Sequence, residues 1–143
     1  MFSRILCATD GSRVSEKAVA FAVALAKMSG GHLTFLTVET VSAEIAARSA
    51  FWDTTLLSAA DAQVRHELTA AVSLARQQGL TAVDFATVQG RHIGKAVAYY
   101  AHEHGHDHIV MGSHGATGIE RLVLGSVAAD VVAAAHCPVT IAR

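Results

Sequence analysis

The stretch Met111 to Ser126, MGSHGATGIERLVLGS, carries four of the chain's eleven glycines: Gly112, Gly115, Gly118 and Gly125. Glycine lets backbone N–H groups approach a ligand with no β-carbon in the way, and successive N–H groups turned inward form a concavity that binds anions. Gly125-Ser126 precedes a run of helix-forming residues, so the stretch ends where a helix N-terminus begins. The unsatisfied N–H groups and positive dipole end there attract a negative group by roughly 0.3 to 1 kcal/mol. The chemistry that fits is the holding of a phosphate chain. Ser126 is expected to serve both as N-cap and as hydroxyl donor to a phosphate oxygen. The plainer alternative is that the glycines only make turns and Ser126 only caps its helix.

The common phosphate loops do not account for this pattern. Neither GxxxxGK[ST] nor GxGxxG occurs, and the only Gly-Lys pair, Gly94-Lys95, falls inside a predicted helix. His92-Ile93-Gly94 matches part of the HIGH signature of nucleotidyl-transferring enzymes, but it continues with Lys95 and follows the third strand rather than the first. That match is read as coincidence.

Other side chains invite chemistry. Asp10 lies in Asp10-Gly11-Ser12 at a predicted strand end. A carboxylate there can accept hydrogen bonds from a ligand's hydroxyl groups, and the same tripeptide is also a good turn and helix start. His114, within the glycine stretch, either donates to a phosphate oxygen or faces solvent. His102, His104, His106 and His108 alternate in HEHGHDH, and four imidazoles, or a set with Glu103 or Asp107, are zinc-ligand types. Alternation puts residues on one face only in a strand, whereas His102 and His104 end a predicted helix, Gly105 breaks the register and His108 begins a strand. No metal site is therefore expected. No nucleophile–base pair stands at informative spacing. From the residues alone, a module that binds a phosphate-bearing ligand is the first expectation, a slow enzyme acting on that ligand the second and a ligand-independent interaction dimer the third.

These residues need elements to position them. Arg4 to Thr9 is a short apolar run of the kind buried on both faces of a parallel sheet. A helix follows, capped by Ser12 or Ser15, with Val14, Ala18, Phe21, Leu25 and Met28 on one face, and Gly30-Gly31 stops it. His32 to Val38 reads as a second strand. In Thr40 to Gln78 only the second half is legible: Leu57, Ala60, Val64, Leu68, Ala71 and Ala75 mark a helix ending at Gly79. The first half, with Phe51-Trp52, is loop or short helix. Thr81 to Val88 is a third strand, and Ile93, Val97, Tyr100 and His104 mark a third helix. His108 to Met111 is a fourth strand, Ser126 to His136 a last helix and Pro138 to Ala142 a last strand. Strands alternating with helices over short links imply right-handed crossovers and an open, parallel α/β sheet. Ligands then sit outside the carboxyl ends of the strands, where Asp10, Val38, Gly90 and Gly112 fall.

Composition narrows the class. The 143 residues are 52% apolar, enough for one domain spanning 1–143. A net charge of -1 with no run of like charge gives a nucleic-acid surface no support. No apolar run approaches the roughly 20 residues that span a bilayer, and the N-terminus is too interrupted for a signal-peptide core, so a cytoplasmic protein without membrane contact is expected. Cys7 and Cys137 match no metal or redox spacing and read as two small buried hydrophobes.

Gly112-x-x-Gly115, nine residues, then Gly125-Ser126 resembles the G-2x-G-9x-G[S/T] nucleotide motif of the universal stress protein family, in its ATP-binding branch. The likeness extends to Thr9-Asp10-Gly11-Ser12, Gly90, Asp107 through Gly112 and Cys137-Pro138-Val139, with Thr40 to about Gln63 unmatched. It implies a Rossmann-like five-stranded sheet of order 3-2-1-4-5 with helices on both faces, of the adenine nucleotide alpha hydrolase-like type. It also implies a nucleotide site built from Ala8, Thr9, Asp10, Val38, Met111, Gly112, His114, Gly115, Gly125, Ser126 and Val127. ATP, with Mg or Mn, is the implied ligand; weak ATPase or autophosphorylating activity and a stress-signalling role belong to the same implication. The terminal strand, Pro138 to Ala142, is short and apolar and is expected at a sheet edge. Pairing with its own copy would give a two-fold homodimer, as the resembled family often does.

Overall fold

The computed structural model describes residues 2–9, 13–39, 54–113 and 124–143, excepting the side chains of 13–15 and 54–63. Among the described residues five strands alternate with four helices: β1 (Arg4–Ala8), α1 (Arg13–Ser29), β2 (His32–Glu39), α2 (Thr54–Gln77), β3 (Val83–Gln89), α3 (Ile93–Glu103), β4 (His108–Gly112), α4 (Ser126–Ala134) and β5 (Val139–Ala142). The strands form one sheet of order β3-β2-β1-β4-β5, parallel throughout, with Cys7 beside both Phe35 of β2 and Val110 of β4. This is the Rossmann-like α/β architecture, with β3 and β5 at the edges.

The period of two along β1 explains the layering. Ile5 and Cys7 point to one face and pack with Leu33, Phe35, Val83 and Val110 against Ala18, Ala22 and Ala26 of α1 and Leu68, Val72 and Ala75 of α2. Leu6 points to the other face, where Leu36, Ile109 and Met111 meet Val97 and Ala101 of α3 and Ala128 and Val131 of α4. The central strand is thus buried on both sides, which is why it is a continuous apolar run.

Two local expectations change. Ser15 lies inside α1 and cannot be its N-cap; Ser12, the other candidate, falls outside the described residues. The buried stripe of α1 is Ala18, Ala22, Val23 and Ala26, while Phe21 and Met28 face solvent. Small residues win that face because they let the helix lie close to the sheet, and the larger apolar side chains turn outward. The helix does end as expected: Gly30 has φ +67°, and Gly31 N–H donates to Ala26 O at 3.1 Å, a backbone closure that glycine permits without strain. In α2 the stripe Leu68, Ala71 and Ala75 packs inward, joined by Val72; the side chains of Leu57 and Ala60 fall outside the described residues, as does the Phe51-Trp52 segment.

Candidate functional site

At the carboxyl rim of the sheet, β1 and β2 are laced together beyond their ladder. Thr9 N–H donates to Leu36 O at 2.9 Å, and the Thr37 hydroxyl donates to Thr9 O at 2.7 Å. Gly90 N–H donates to Glu39 O at 3.0 Å, fixing the exit of β3 beside that of β2. A β-carbon at Gly90 would press on Ala96 Cβ at 3.1 Å and make ordinary contact with Val38 Cγ1 at 3.6 Å, so a glycine lets the turn sit close against Ala96 in the first turn of α3.

The end of β4 is tied twice. Ser113 N–H donates to Ala142 O at 3.2 Å, and Ser113 O accepts from Gly125 N–H at 2.8 Å. The second bond draws the residue before α4 back to the residue after β4. Buried Ser113 was not singled out in the sequence. Its contribution is a backbone carbonyl, which any residue type carries, so no sequence signal marks it.

Gly125, with φ -60° and ψ 156°, is the N-cap of α4, and among the described residues no side chain caps the helix. Ser126 is therefore the first helical residue and not the cap. The first intrahelical bond runs from Ala129 N–H to Gly125 O at 2.9 Å, which leaves the N–H groups of Ser126, Val127 and Ala128 without an intrahelical acceptor. Ser126 is exposed, so its hydroxyl is accessible at the helix mouth.

Eight of the eleven candidate residues are described. Ala8, Val38 and Val127 pack, with Leu124, against the core that contains Met111, and Gly112 and Gly125 stand on either side of the Ser113 bond. Ala8, Thr9, Val38, Met111, Gly112, Gly125, Ser126 and Val127 thus share the carboxyl rim, and the packed ones among them lie on the α3/α4 face. Asp10, His114 and Gly115 fall outside the described residues. The described rim offers backbone donors and hydroxyls that suit an anion, and beside them the Glu39 carboxylate, whose Oε1 is buried with no hydrogen-bond partner.

At the opposite end of the sheet the alternating histidines do not converge on one point: His104 and His106 both lie beside Tyr100, while His102 and His108 turn to other neighbours. His102 meets His136 ring to ring at 4.7 Å. His104 stacks on Tyr100 at 3.8 Å, and its Nδ1 bonds to Tyr100 O at 3.0 Å. His106 is buried with neither ring nitrogen hydrogen-bonded. Desolvation, then the charges of Arg4 and His104, lower its pKa to about 4. His108 is buried, its Nε2 shares a hydrogen bond with Thr140 Oγ1 at 2.8 Å, and burial lowers its pKa. Among the described residues no three His, Cys, Asp or Glu side chains are grouped to hold a metal ion. Both cysteines are free. Burial pushes the Cys7 thiol up to about 12; Cys137 is only half-buried, so the reading of two buried hydrophobes holds in full for Cys7 alone. No helix among the described residues is long and apolar enough to cross a membrane.

Comparison with known proteins agrees with this architecture. The whole chain is 31% identical to the universal stress protein YxiE of Bacillus subtilis, covering all of both chains. Among solved structures, the hypothetical protein MJ0577 superposes with a TM-score of 0.85 at 25% identity, over 99% of this chain and 96% of the other. A universal stress protein solved in complex with cAMP superposes with a TM-score of 0.71 at 27% identity, over 99% of this chain and 97% of the other. Residues 1–143 match the universal stress protein family, and with this fold and these relatives the chain belongs to it.

Proposed function

We propose that the protein is an ATP-binding, nucleotide-dependent module of the stress response, with its site at the carboxyl rim of the sheet. The observation that carries this is the start of α4, capped by no side chain among the described residues and brought against the end of β4 by the Gly125–Ser113 bond. Unpaired N–H groups at a helix mouth, reached through a glycine, suit a phosphate chain. In this reading Gly112, Gly115, Gly125, Ser126 and Val127 hold phosphates and ribose, with His114 beside them. Ala8, Thr9, Asp10, Val38 and Met111 form the ribose and adenine side. The relative solved with cAMP supports an adenine nucleotide. Mg²⁺ or Mn²⁺, where it accompanies the nucleotide, would rest mainly on phosphate oxygens, because the described rim supplies hydroxyls and N–H groups rather than a carboxylate cage. Mass spectrometry of nucleotide released from gently purified protein tests the reading. ATP is the expected species; ADP alone would point to turnover, and no nucleotide would favour a ligand-independent dimer.

The homodimer belongs to the same proposal. β5 is an edge strand, and its register decides which of its N–H groups are available. Ile109 N–H donates to Pro138 O and Ile109 pairs with Val139, so in a parallel ladder the N–H groups of Thr140 and Ala142 turn inward to β4. Those of Val139 and Ile141 face outward and are the ones a second copy would pair. Ile141→Pro removes one outward donor and keeps the inner ladder. Light scattering is expected to report a folded monomer for it and a dimer for the parent; a dimeric Ile141→Pro protein would place the interface elsewhere.

A further inference from the structure

Gly94 is buried in the first turn of α3, and its role lies in the helix it touches. A β-carbon built on it would stand 2.5 Å from Asp130 Cβ, 2.9 Å from Val127 O and 3.2 Å from Val131 N. All three atoms belong to α4, and two are backbone atoms that no rotamer change can move. The two helices therefore meet backbone to backbone at a single glycine, and any larger residue must separate them. Val127 is the second residue of α4, so separation at Gly94 displaces the first turn of that helix. The rest of α4 has little freedom to compensate: Ala128 and Val131 are buried against the sheet, and Gly125 is tied to Ser113.

We propose that Gly94 is a positioning residue for the nucleotide site, letting α3 approach so closely that the N–H groups of Ser126 and Val127 stand at the carboxyl end of β4. This rests on reading that helix mouth as the phosphate site. Hydrogen bonds to phosphate oxygens depend steeply on distance and angle, so an α4 shifted by a fraction of an ångström keeps its donors and loses their aim. The dipeptide Gly94-Lys95, which no phosphate-loop pattern explains, then has its glycine accounted for by helix packing behind the site rather than by contact with the ligand.

The test uses the full chain, with ATP as probe. Gly94→Ala is expected to weaken ATP binding about tenfold by calorimetry and, with no nucleotide present, to shift the amide resonances of Ser126 and Val127. Val72→Ala, buried on the opposite face of the sheet, serves as the stability control. It is expected to lower the melting temperature comparably and leave ATP affinity within twofold of the parent. Should Gly94→Ala not fold, the double variant with Asp130→Gly removes the nearest contact but keeps those to Val127 O and Val131 N; it is expected to fold with ATP affinity below that of the parent, and parental affinity with unmoved Ser126 and Val127 amides would overturn the role. Parent-like affinity with unmoved amides in folded Gly94→Ala, or an equal loss in Val72→Ala, would overturn the positioning role. A parent that binds no ATP would overturn the nucleotide reading instead. The amide shifts would still decide the geometry, unmoved resonances overturning it and moved ones supporting it.

Discussion

The two rims of the sheet divide their chemistry unequally. At the amino rim, Arg4, His32, Asp84, Tyr100, His104 and His106 gather within electrostatic reach of one another, yet neighbours absorb most of them. His32 Nε2 lies 3.2 Å from Asp84 Oδ2, Arg4 Nε donates to His104 O at 3.1 Å, and Asp107 accepts from Ser3 N–H at 2.7 Å. At the carboxyl rim the described groups are mostly backbone N–H and hydroxyl, with the Glu39 carboxylate beside them, and among the described residues no side chain caps the start of α4. A density of titratable side chains therefore marks structure here, while the proposed site is poorer in them. The reason is geometric. Parallel strands and the helices that follow them aim their free N–H groups toward the carboxyl rim, and glycine clears the approach.

The largest effect expected from breaking this contrast comes from Gly115→Val. If the glycine spacing reserves room for phosphates, a β-branched side chain occupies that room, and ATP binding should fall by about a hundredfold or more. The fold should persist, as read by circular dichroism. The matching change at the other rim, His102, His104 and His106 replaced together by Gln, should leave ATP affinity at the parental value. Calorimetry that found affinity retained in Gly115→Val, or lost in the triple variant, would reverse the assignment of the two rims.

The amino rim has its own signature, in pH. His106 is desolvated and faces Arg4 from β1, His32 from β2 and His104 from α3, with Asp84 of β3 opposing them, and its pKa is lowered from 6.5 to about 4. A histidine depressed in the folded state takes up its proton more readily when unfolded. The associated stability is thus fully present above pH 6.5 and is lost as pH falls toward 4. The shift corresponds to about 3 kcal/mol at most, and His108, lowered by the same cause, acts in the same direction. Urea titrations between pH 7 and pH 4.5 should show falling stability in the parent and a flatter profile in His106→Leu. Parallel profiles for the two proteins would remove His106 as the source.

Much of this was legible in the sequence because it depends on period and punctuation. The double-sided burial of β1, the stop at Gly30-Gly31 and the parallel sheet follow from apolar runs and glycines that admit few other arrangements. The buried face of α1 was misread because hydrophobicity alone weights Phe21 and Met28 above the alanines, whereas close packing on a sheet rewards small size. The proposed site is read in the sequence from its glycines, whereas its backbone contacts leave no mark there. Ser113 acts through a carbonyl, and Gly94 acts through a contact between helices that only the three-dimensional crossing creates. Ser126 was placed one residue early in its role, since Gly125 already supplies the extended backbone that an N-cap requires.

That last shift gives the smallest and sharpest prediction. An N-cap serine replaced by alanine costs roughly 1 kcal/mol of stability, because its side chain satisfies a helix donor. In a domain of this size that lowers the melting temperature by about 4 °C. Ser126 is the first helical residue, exposed, on a helix that no side chain among the described residues caps, so Ser126→Ala should leave the melting temperature within about 1 °C of the parent. If its hydroxyl donates to a phosphate oxygen, the loss should appear in binding instead. A hydrogen bond to a charged phosphate oxygen is worth about 1.5 to 3 kcal/mol, which is roughly a tenfold to hundredfold weakening for ATP, no larger than the effect of Gly115→Val because the backbone donors remain. A calorimetric and thermal comparison separates the two roles. Lower affinity at constant stability keeps Ser126 at the carboxyl rim as a ligand group; lower stability at constant affinity makes it a cap and leaves the phosphates to the backbone alone.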